Sequence, residues 1–206
     1  MAPVPSWPRA FRPQALAGGL PLLYKLELRG IAGQLSDTKP EGEAPAEPTA
    51  QTQRVAEEAA LEAMVKALLG KSPLGIQLAE SCLYVAADPA MQYQVALDGG
   101  DLLTPGLTPE QALGAIRPLL EDPGVEKRLF DAKGFLHAIA PYGVRLAGPW
   151  QDTMIQDYLL HAIHPADSLK TLLSERSLPY GAGGLLQASQ DMEAELREKG
   201  LLDLYN

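Results

Sequence analysis

Cysteine is almost absent: 206 residues carry one, Cys82, so no internal disulfide can form and a reducing, cytoplasmic setting is expected. Cys82 adjoins an apolar run and reads as a small core residue. Basic residues are scarce too, with 17 Lys and Arg against 26 Asp and Glu, a formal charge of −9. Such a surface repels phosphate and gains nothing from counterion release, so free-standing affinity for nucleic acid should be weak. Long hydrophobic runs are missing: none approaches the roughly 20 residues needed to span a bilayer. The N-terminus, Met1-Ala-Pro-Val-Pro-Ser, lacks the basic region and hydrophobic core of a signal peptide.

What is present suffices for one well-buried domain plus tails, since 46% of the residues are hydrophobic. Residues 1–20 are rich in Pro, Gly and Ala and show no periodicity. Leu22, Leu23, Leu26, Ile31 and Leu35 then fit an amphipathic helix interrupted at Gly30. Residues 36–54 read as a flexible linker. Its Ser36–Gln53 part holds no large apolar residue and cannot offset its ordering entropy by burial.

Beyond the linker the pattern is regular. Leu61, Met64, Val65 and Leu68 mark one face of a helix over 57–69, stopped by Gly70. Leu74–Leu78, Leu83–Ala86 and Met91–Leu97 read as strands, the last two joined by an Asp88-Pro89 turn into an antiparallel hairpin. Gly99-Gly100 and Pro105-Gly106 mark loops. Thr108-Pro-Glu-Gln111 is a capping box with Pro at the first helical position; Ala112, Leu113, Ile116, Leu119 and Leu120 form the buried stripe, Pro118 should kink the helix, and Asp122-Pro-Gly124 ends it.

The stretch from Leu129 to Leu160 reads as strand, helix, strand, helix. Phe135, Leu136, Ile139 and Tyr142 recur at helical spacing, with Asp131 as N-cap and Gly143 as stop. Val144–Leu146 is expected to be a strand. Gly148-Pro149 turns the chain, and Asp152 caps a helix with Met154, Ile155, Tyr158 and Leu159 on its apolar face. Strand, helix and strand with short loops predict a parallel pair with a right-handed crossover. Further on, Asp167 is placed to cap Ser168–Glu175, and Leu185–Lys199 reads as a helix ended by Gly200. The pattern alone supports α/β with a mixed sheet.

Several residues invite a chemical reading and carry a plainer one. His161 and His164 share a helix face at i, i+3, without a third ligand nearby, and suit a helix C-terminus better than a metal. His137 reads as a helix-surface residue. Gly181-Ala-Gly-Gly184 lacks the Lys-Ser/Thr ending of a phosphate loop and reads as a flexible turn. Lys127, Arg128 and Lys133 form a small basic cluster, read as a solvated edge rather than a DNA-backbone contact. No nucleophile-elbow motif supports a hydrolytic triad.

The stretch around Phe135 also carries a resemblance. Asp131-Ala-Lys-Gly-Phe135, Tyr142-Gly143 and Gln151-Asp-Thr-Met154 stand in the order and spacing of the second motif of the 3′–5′ proofreading exonuclease domain of bacterial DNA polymerase I. The resemblance covers about residues 55–206. It implies a ribonuclease H-like, DnaQ-type exonuclease fold: a mixed five-stranded sheet flanked by helices. It implies that residues 1–35 are the end of a preceding 5′ nuclease domain, and that Leu201-Leu-Asp-Leu-Tyr205 leads into a polymerase domain. The partners implied are those two domains of the same chain, and DNA through the parent enzyme. A monomer is expected, without membrane association.

Members of that family resemble two-metal hydrolases, in which carboxylates hold two divalent ions that activate water and stabilise the leaving oxygen. Carried onto this sequence, the first motif puts Leu78 at the aspartate and Glu80 at the glutamate. The second puts Phe135 at its aspartate. The third keeps Tyr180 and has Gly184 at its aspartate. The loop after the first motif is almost absent, because Cys82 already starts the next strand. A lone carboxylate does not hold two Mg²⁺ ions, each of which needs near-octahedral oxygen coordination. The resemblance therefore implies a vestigial domain with no catalytic residue, no metal and no cofactor, structural within a replication and repair polymerase, its old cleft filled by Leu78 and Phe135. The rival reading is an active metal-dependent exonuclease with rearranged ligands, Glu80, Asp131 and Asp152. A protein-interaction module unrelated to polymerases is the third, and a different strand order would favour it.

Overall fold

The computed structural model describes residues 50–97 and 106–205. The helix read over Leu22–Leu35, most of the linker and the Gly99-Gly100 loop lie outside the described residues. In chain order the elements are β1 (Gln51–Val55), α1 (Glu58–Leu68), β2 (Leu74–Leu78), β3 (Cys82–Asp88), β4 (Met91–Ala96), α2 (Pro109–Leu120), β5 (Lys127–Leu129), α3 (Ala132–Ile139), a 3₁₀ turn (Ala140–Tyr142), β6 (Trp150–Asp152), α4 (Thr153–Leu160), α5 (Leu169–Glu175), α6 (Ala182–Glu198) and α7 (Leu202–Tyr205).

The sheet runs β1-β4-β3-β2-β5-β6. Strands β2, β3 and β4 are antiparallel neighbours; β5 joins β2, and β6 joins β5, in parallel. These five strands are the expected sheet. Strand β1 is a sixth, parallel to β4 with Gln51 opposite Met91 and Val55 opposite Val95. The linker reading of residues 36–54 is thus corrected at its end, where Gln51–Arg54 are strand. Only Val55 of β1 is buried. Backbone pairing at a sheet edge holds this polar segment, and edge pairing leaves no hydrophobic alternation to read.

One face of the sheet carries the main core, in which Leu61, Met64 and Leu68 of α1 and Leu113, Ile116 and Leu120 of α2 pack on Leu74, Ile76, Leu83 and Val95. Helix α2 starts as its sequence predicts: Thr108 Oγ1 accepts from the Gln111 amide, and the Gln111 side chain accepts from the Thr108 amide. The other face carries α6, which lies on β3, β2 and β5. Gly75 in β2 permits that approach, since a Cβ there would stand 2.4 Å from the Ala182 carbonyl oxygen. Leu169, Leu172, Leu173, Leu185 and Met192 form a second cluster between α5 and α6. Cys82 is buried, as a core residue should be. Among the described residues no helix is long and apolar enough to cross a membrane.

Three local expectations change. Val144–Leu146 is not a strand: Val144 is a buried anchor in a loop, and the pairing strand is Trp150–Asp152, after the Gly148-Pro149 turn. Its Trp-Gln-Asp sequence has no alternation, so backbone pairing to β5 selects it. Ser168, not Asp167, caps α5; Asp167 accepts from the Thr171 hydroxyl instead. Residues Ala182–Gly184, read as a flexible turn, form the first turn of α6.

The polar content of the interior is the larger surprise. Lys127 and Arg128, read as a solvated edge, are 0% and 6% exposed in β5. Lys127 Nζ donates to the carbonyls of Asp122 (2.6 Å) and Ala147 (2.5 Å), and burial lowers its pKa from the usual lysine value. Arg128 lies between Glu126 and Glu193, each at 3.0 Å, and donates to Ser189 and Gln151. Helix α4 turns its polar side to this layer: Thr153, Gln156 and Asp157 are buried, whereas Ile155 and Tyr158 are 43% and 54% exposed. The Gln156 carboxamide accepts from Ser189 and donates to Gln151; Asp157 accepts from the Ala166 amide and pairs with His161 Nδ1. Gln156 of α4 thereby holds Gln151 and Ser189, two of the oxygen partners of Arg128, and an unpaired buried charge costs more than the exposed aliphatic side chain of Ile155.

Candidate functional site

Strand β2 ends at Leu78, which pairs directly with Leu83 across a tight turn. The Ala79 amide donates to the Cys82 carbonyl within that turn, so the loop after the first-motif position is as short as the spacing implies. Beside β2, β5 delivers the chain to α3. Asp131 takes a left-handed conformation (φ 56°) and caps α3, accepting from the Gly134 amide at 3.0 Å. Phe135 follows one turn on, its amide bonded to the Asp131 carbonyl.

These elements frame a cleft of about 370 Å³. Leu78, Phe135 and Tyr180 line it together with Phe130, Asp131 and Asp167. The Tyr180 ring meets Tyr84 edge-on, with centroids 5.7 Å apart, and burial raises its phenol pKa. The three positions from three separate motifs therefore converge. Phe135 is 6% exposed and belongs to the main core, while Leu78 packs against that core. Both are walls of the cleft rather than its filling, which corrects the expectation that they close it: Phe135 turns into the main core, Leu78 packs against that core, and about 370 Å³ stays open beside them.

The other two positions do not join them. Glu80 is exposed on the turn between β2 and β3 and borders an adjoining, smaller cavity of about 200 Å³ with Pro109, Leu113 and Tyr142, with Leu78 and Ala138 as the shared wall. Gly184 is buried in the first turn of α6. A Cβ at this position would lie 1.9 Å from the Pro179 carbonyl oxygen and 3.4 Å from Leu173 Cδ1. The backbone of the third-motif position thus faces the α5–α6 connection. Gly184→Asp is expected to cost about 2 kcal/mol in a denaturant titration, the scale of overpacking, without adding divalent-ion binding by calorimetry.

The rearranged ligand set is not assembled. Asp152 is buried, and its carboxylate accepts from the amides of Asp131 (3.1 Å), Ala132 (2.8 Å) and Met154 (3.0 Å). Burial raises its pKa, against the pull of those three amides. Its backbone amide donates to the Tyr205 hydroxyl at 2.8 Å, and burial pushes that phenol up to about 12. Asp152 is therefore a staple joining β6, α3, α4 and α7. It borders a third cavity together with Trp150 and Tyr205, whereas Asp131 lines the first cleft and Glu80 the second. Among the described residues no three His, Cys, Asp or Glu side chains come together as a metal-holding group. Two divalent ions need several convergent oxygen ligands. The cleft offers two carboxylates, Asp131 and Asp167, and hydrocarbon at Leu78 and Phe135, too few convergent oxygens to fit that pair of ions. His161 caps the C-terminus of α4 with its ring on Asp157, in line with the plain reading of the histidine pair.

Sequence reasoning missed Asp167 as a cleft residue and Gln92 as the support behind Tyr180. Gln92 is 3% exposed; it donates to the Tyr180 carbonyl (3.0 Å) and to Thr52 Oγ1 (3.1 Å), and accepts from the Gly183 amide (3.1 Å). An inward glutamine in a strand pattern was the available signal.

No protein-family model matches the sequence. No curated protein matches it either. Solved structures do. The chain superposes on the polymerase domain of Pol1 from M. smegmatis, described in complex with DNA primer-template and dNTP, with a TM-score of 0.58 and 21% identity. That match covers 75% of this chain and 29% of the polymerase chain. Escherichia coli RNase D, an exoribonuclease, gives a TM-score of 0.48 at 14% identity over 74% of this chain and 47% of its own. The EXD2 exonuclease domain gives 0.37 at 17% identity, over 73% and 90%. The chain spans less than half the length of the first two. Five strands ordered β4-β3-β2-β5-β6, antiparallel then parallel, together with the polymerase match, give one conclusion about architecture: this chain has an α/β, ribonuclease H-like fold, similar to part of a polymerase I.

Proposed function

We propose that the chain is a 3′–5′ exonuclease-type domain of a bacterial DNA polymerase I that no longer hydrolyses DNA and serves as a structural part of that enzyme. On this reading residues 1–35 end a 5′ nuclease domain, residues 36 to about 50 are a linker, and the described domain precedes the polymerase. Its DNA contact belongs to the parent enzyme; the chain's formal charge of −9 opposes phosphate. Magnesium chemistry is absent from the proposed role.

The observation that carries the proposal is the composition of the cleft. The place where three motifs meet is walled by Leu78 and by the buried ring of Phe135. Mg²⁺ and Mn²⁺ coordinate oxygen, and neither side chain has one to give. Glu80, the retained carboxylate, opens elsewhere.

The test is a Mg²⁺ and Mn²⁺ titration with 3′-labelled single-stranded DNA. The expected result is no metal-dependent release of labelled nucleotide above that of a metal-free control. Metal-dependent release from the 3′ end, lost in Asp131→Asn, would overturn the proposal in favour of rearranged ligands.

A further inference from the structure

Strand β1 and the loop that carries Tyr180 meet through one side chain. Gln92 sits in β4, opposite Thr52 in the β1 register. One carboxamide nitrogen serves both segments, donating to Thr52 Oγ1 (3.1 Å) and to the Tyr180 carbonyl (3.0 Å), while its oxygen accepts from the Gly183 amide (3.1 Å). The glycines around it leave room for this arrangement. A Cβ at Gly181, whose φ is +118°, would lie 2.3 Å from Gln92 Oε1; one at Gly183 would lie 2.7 Å from the Pro89 carbonyl oxygen and 3.7 Å from Ala50 Cβ. The glycine run thus lets the start of α6 sit against β4 and against the residue leading into β1.

We propose that Gln92 makes β1 and the Tyr180–Gly184 segment one cooperative unit, so that the docking of β1 sets the position of Tyr180 in the cleft wall. The physical ground is the shared donor. When β1 lifts, Gln92 loses Thr52, and its carboxamide is free to leave the Tyr180 carbonyl and the Gly183 amide. When the Tyr180 segment shifts, the same carboxamide turns away from Thr52. Such coupling is reciprocal by thermodynamic necessity. Val55 anchors the end of β1 in the main core, but the rest of the strand is exposed and docks by backbone pairing and this side-chain link, the profile of a segment that opens locally. The role stands whether or not the cleft hydrolyses anything. It makes β1, the point where the chain enters the described domain, a lever on the cleft.

Amide hydrogen exchange of the full chain tests this with two variants. Gln92→Leu removes the shared carboxamide; Thr52→Val removes one acceptor and leaves the other two bonds intact. Each is expected to speed exchange in both 51–55 and 181–185, on the order of tenfold for Gln92→Leu and less for Thr52→Val, with α1 and α2 unchanged. A fluorotyrosine-labelled chain supplies a second reading: the ¹⁹F resonance of Tyr180, assigned through Tyr180→Phe, should shift in both variants while that of Tyr142 stays in place. Faster exchange in 51–55 with 181–185 and the Tyr180 resonance unmoved overturns the proposal. If Gln92→Leu fails to fold, the Thr52→Val measurements decide between the same two outcomes.

Discussion

Phe135→Asp, which puts a carboxylate at the cleft wall, is expected to destabilise the domain by about 4 kcal/mol and to leave metal-dependent nuclease activity undetected. The ring is 6% exposed and belongs to the main core, so its removal forfeits both transfer free energy and packing. Truncating a buried Phe costs about 3–5 kcal/mol on its own. The incoming carboxylate adds desolvation, eased by its access to the cleft, which is open enough to admit water. No activity is expected on the proposed reading, because Leu78 still contributes hydrocarbon and Glu80 still borders the adjoining cavity. Phe135→Leu is the control, with an expected cost of about 1 kcal/mol. Urea denaturation of the three proteins measures the costs, and the labelled-DNA assay reads activity. A Phe135→Asp protein as stable as its parent would mean that the ring is not part of the core. Metal-dependent hydrolysis by it would mean that the remaining ligands already converge.

Asp152→Ala is expected to cost about 3 kcal/mol, although Asp152 is no metal ligand in this arrangement. Its carboxylate satisfies the amides of Asp131, Ala132 and Met154, and each buried donor left unpaired costs about 1–3 kcal/mol before relaxation. Asp152→Asn keeps one acceptor oxygen and should lose about 1 kcal/mol. The pH dependence has a definite sign. Burial raises the folded-state pKa of Asp152 above 3.8. Between the unfolded and the folded value the native protein holds a proton that the unfolded chain has released. That stabilisation is present at the acid end and is lost as pH rises through the folded pKa. The deficit of Asp152→Asn relative to the parent should therefore be larger near about pH 4 than near about pH 7, read from urea midpoints across that range.

Much of the scaffold is legible in the residues, and the reasons are local. Thr108 and Gln111 announce α2 because a capping box needs only four consecutive residues. The β3–β4 hairpin follows from its turn and flanking apolar residues, and α1 from its buried stripe. The three positions Leu78, Phe135 and Tyr180 were placed by motif spacing, and the fold brings them to one cleft. Glu80 and Gly184 were placed by the same spacing and diverge, since a tight turn and a close helix approach redirect them. Ile155 and Tyr158 were assigned to the core and face outward, because the inward side of α4 meets the polar side chains of Ser189 and Gln151 rather than an aliphatic surface.

By itself the sequence determined most of the order of helices and strands, the capped starts of α2, α3 and α4, and the apolar character of positions 78 and 135. These depend on residue type and on neighbours a few positions away. Only the tertiary structure decided that Gln51–Val55 is a strand, that Lys127 and Arg128 are interior, that Asp152 is a staple, and that Gln92 joins β1 to Tyr180. Those outcomes depend on hydrogen-bond partners up to 91 residues apart, such as Gln92 and Gly183. A buried polar group is stable only where such a partner waits, and no periodicity in the chain records where that is.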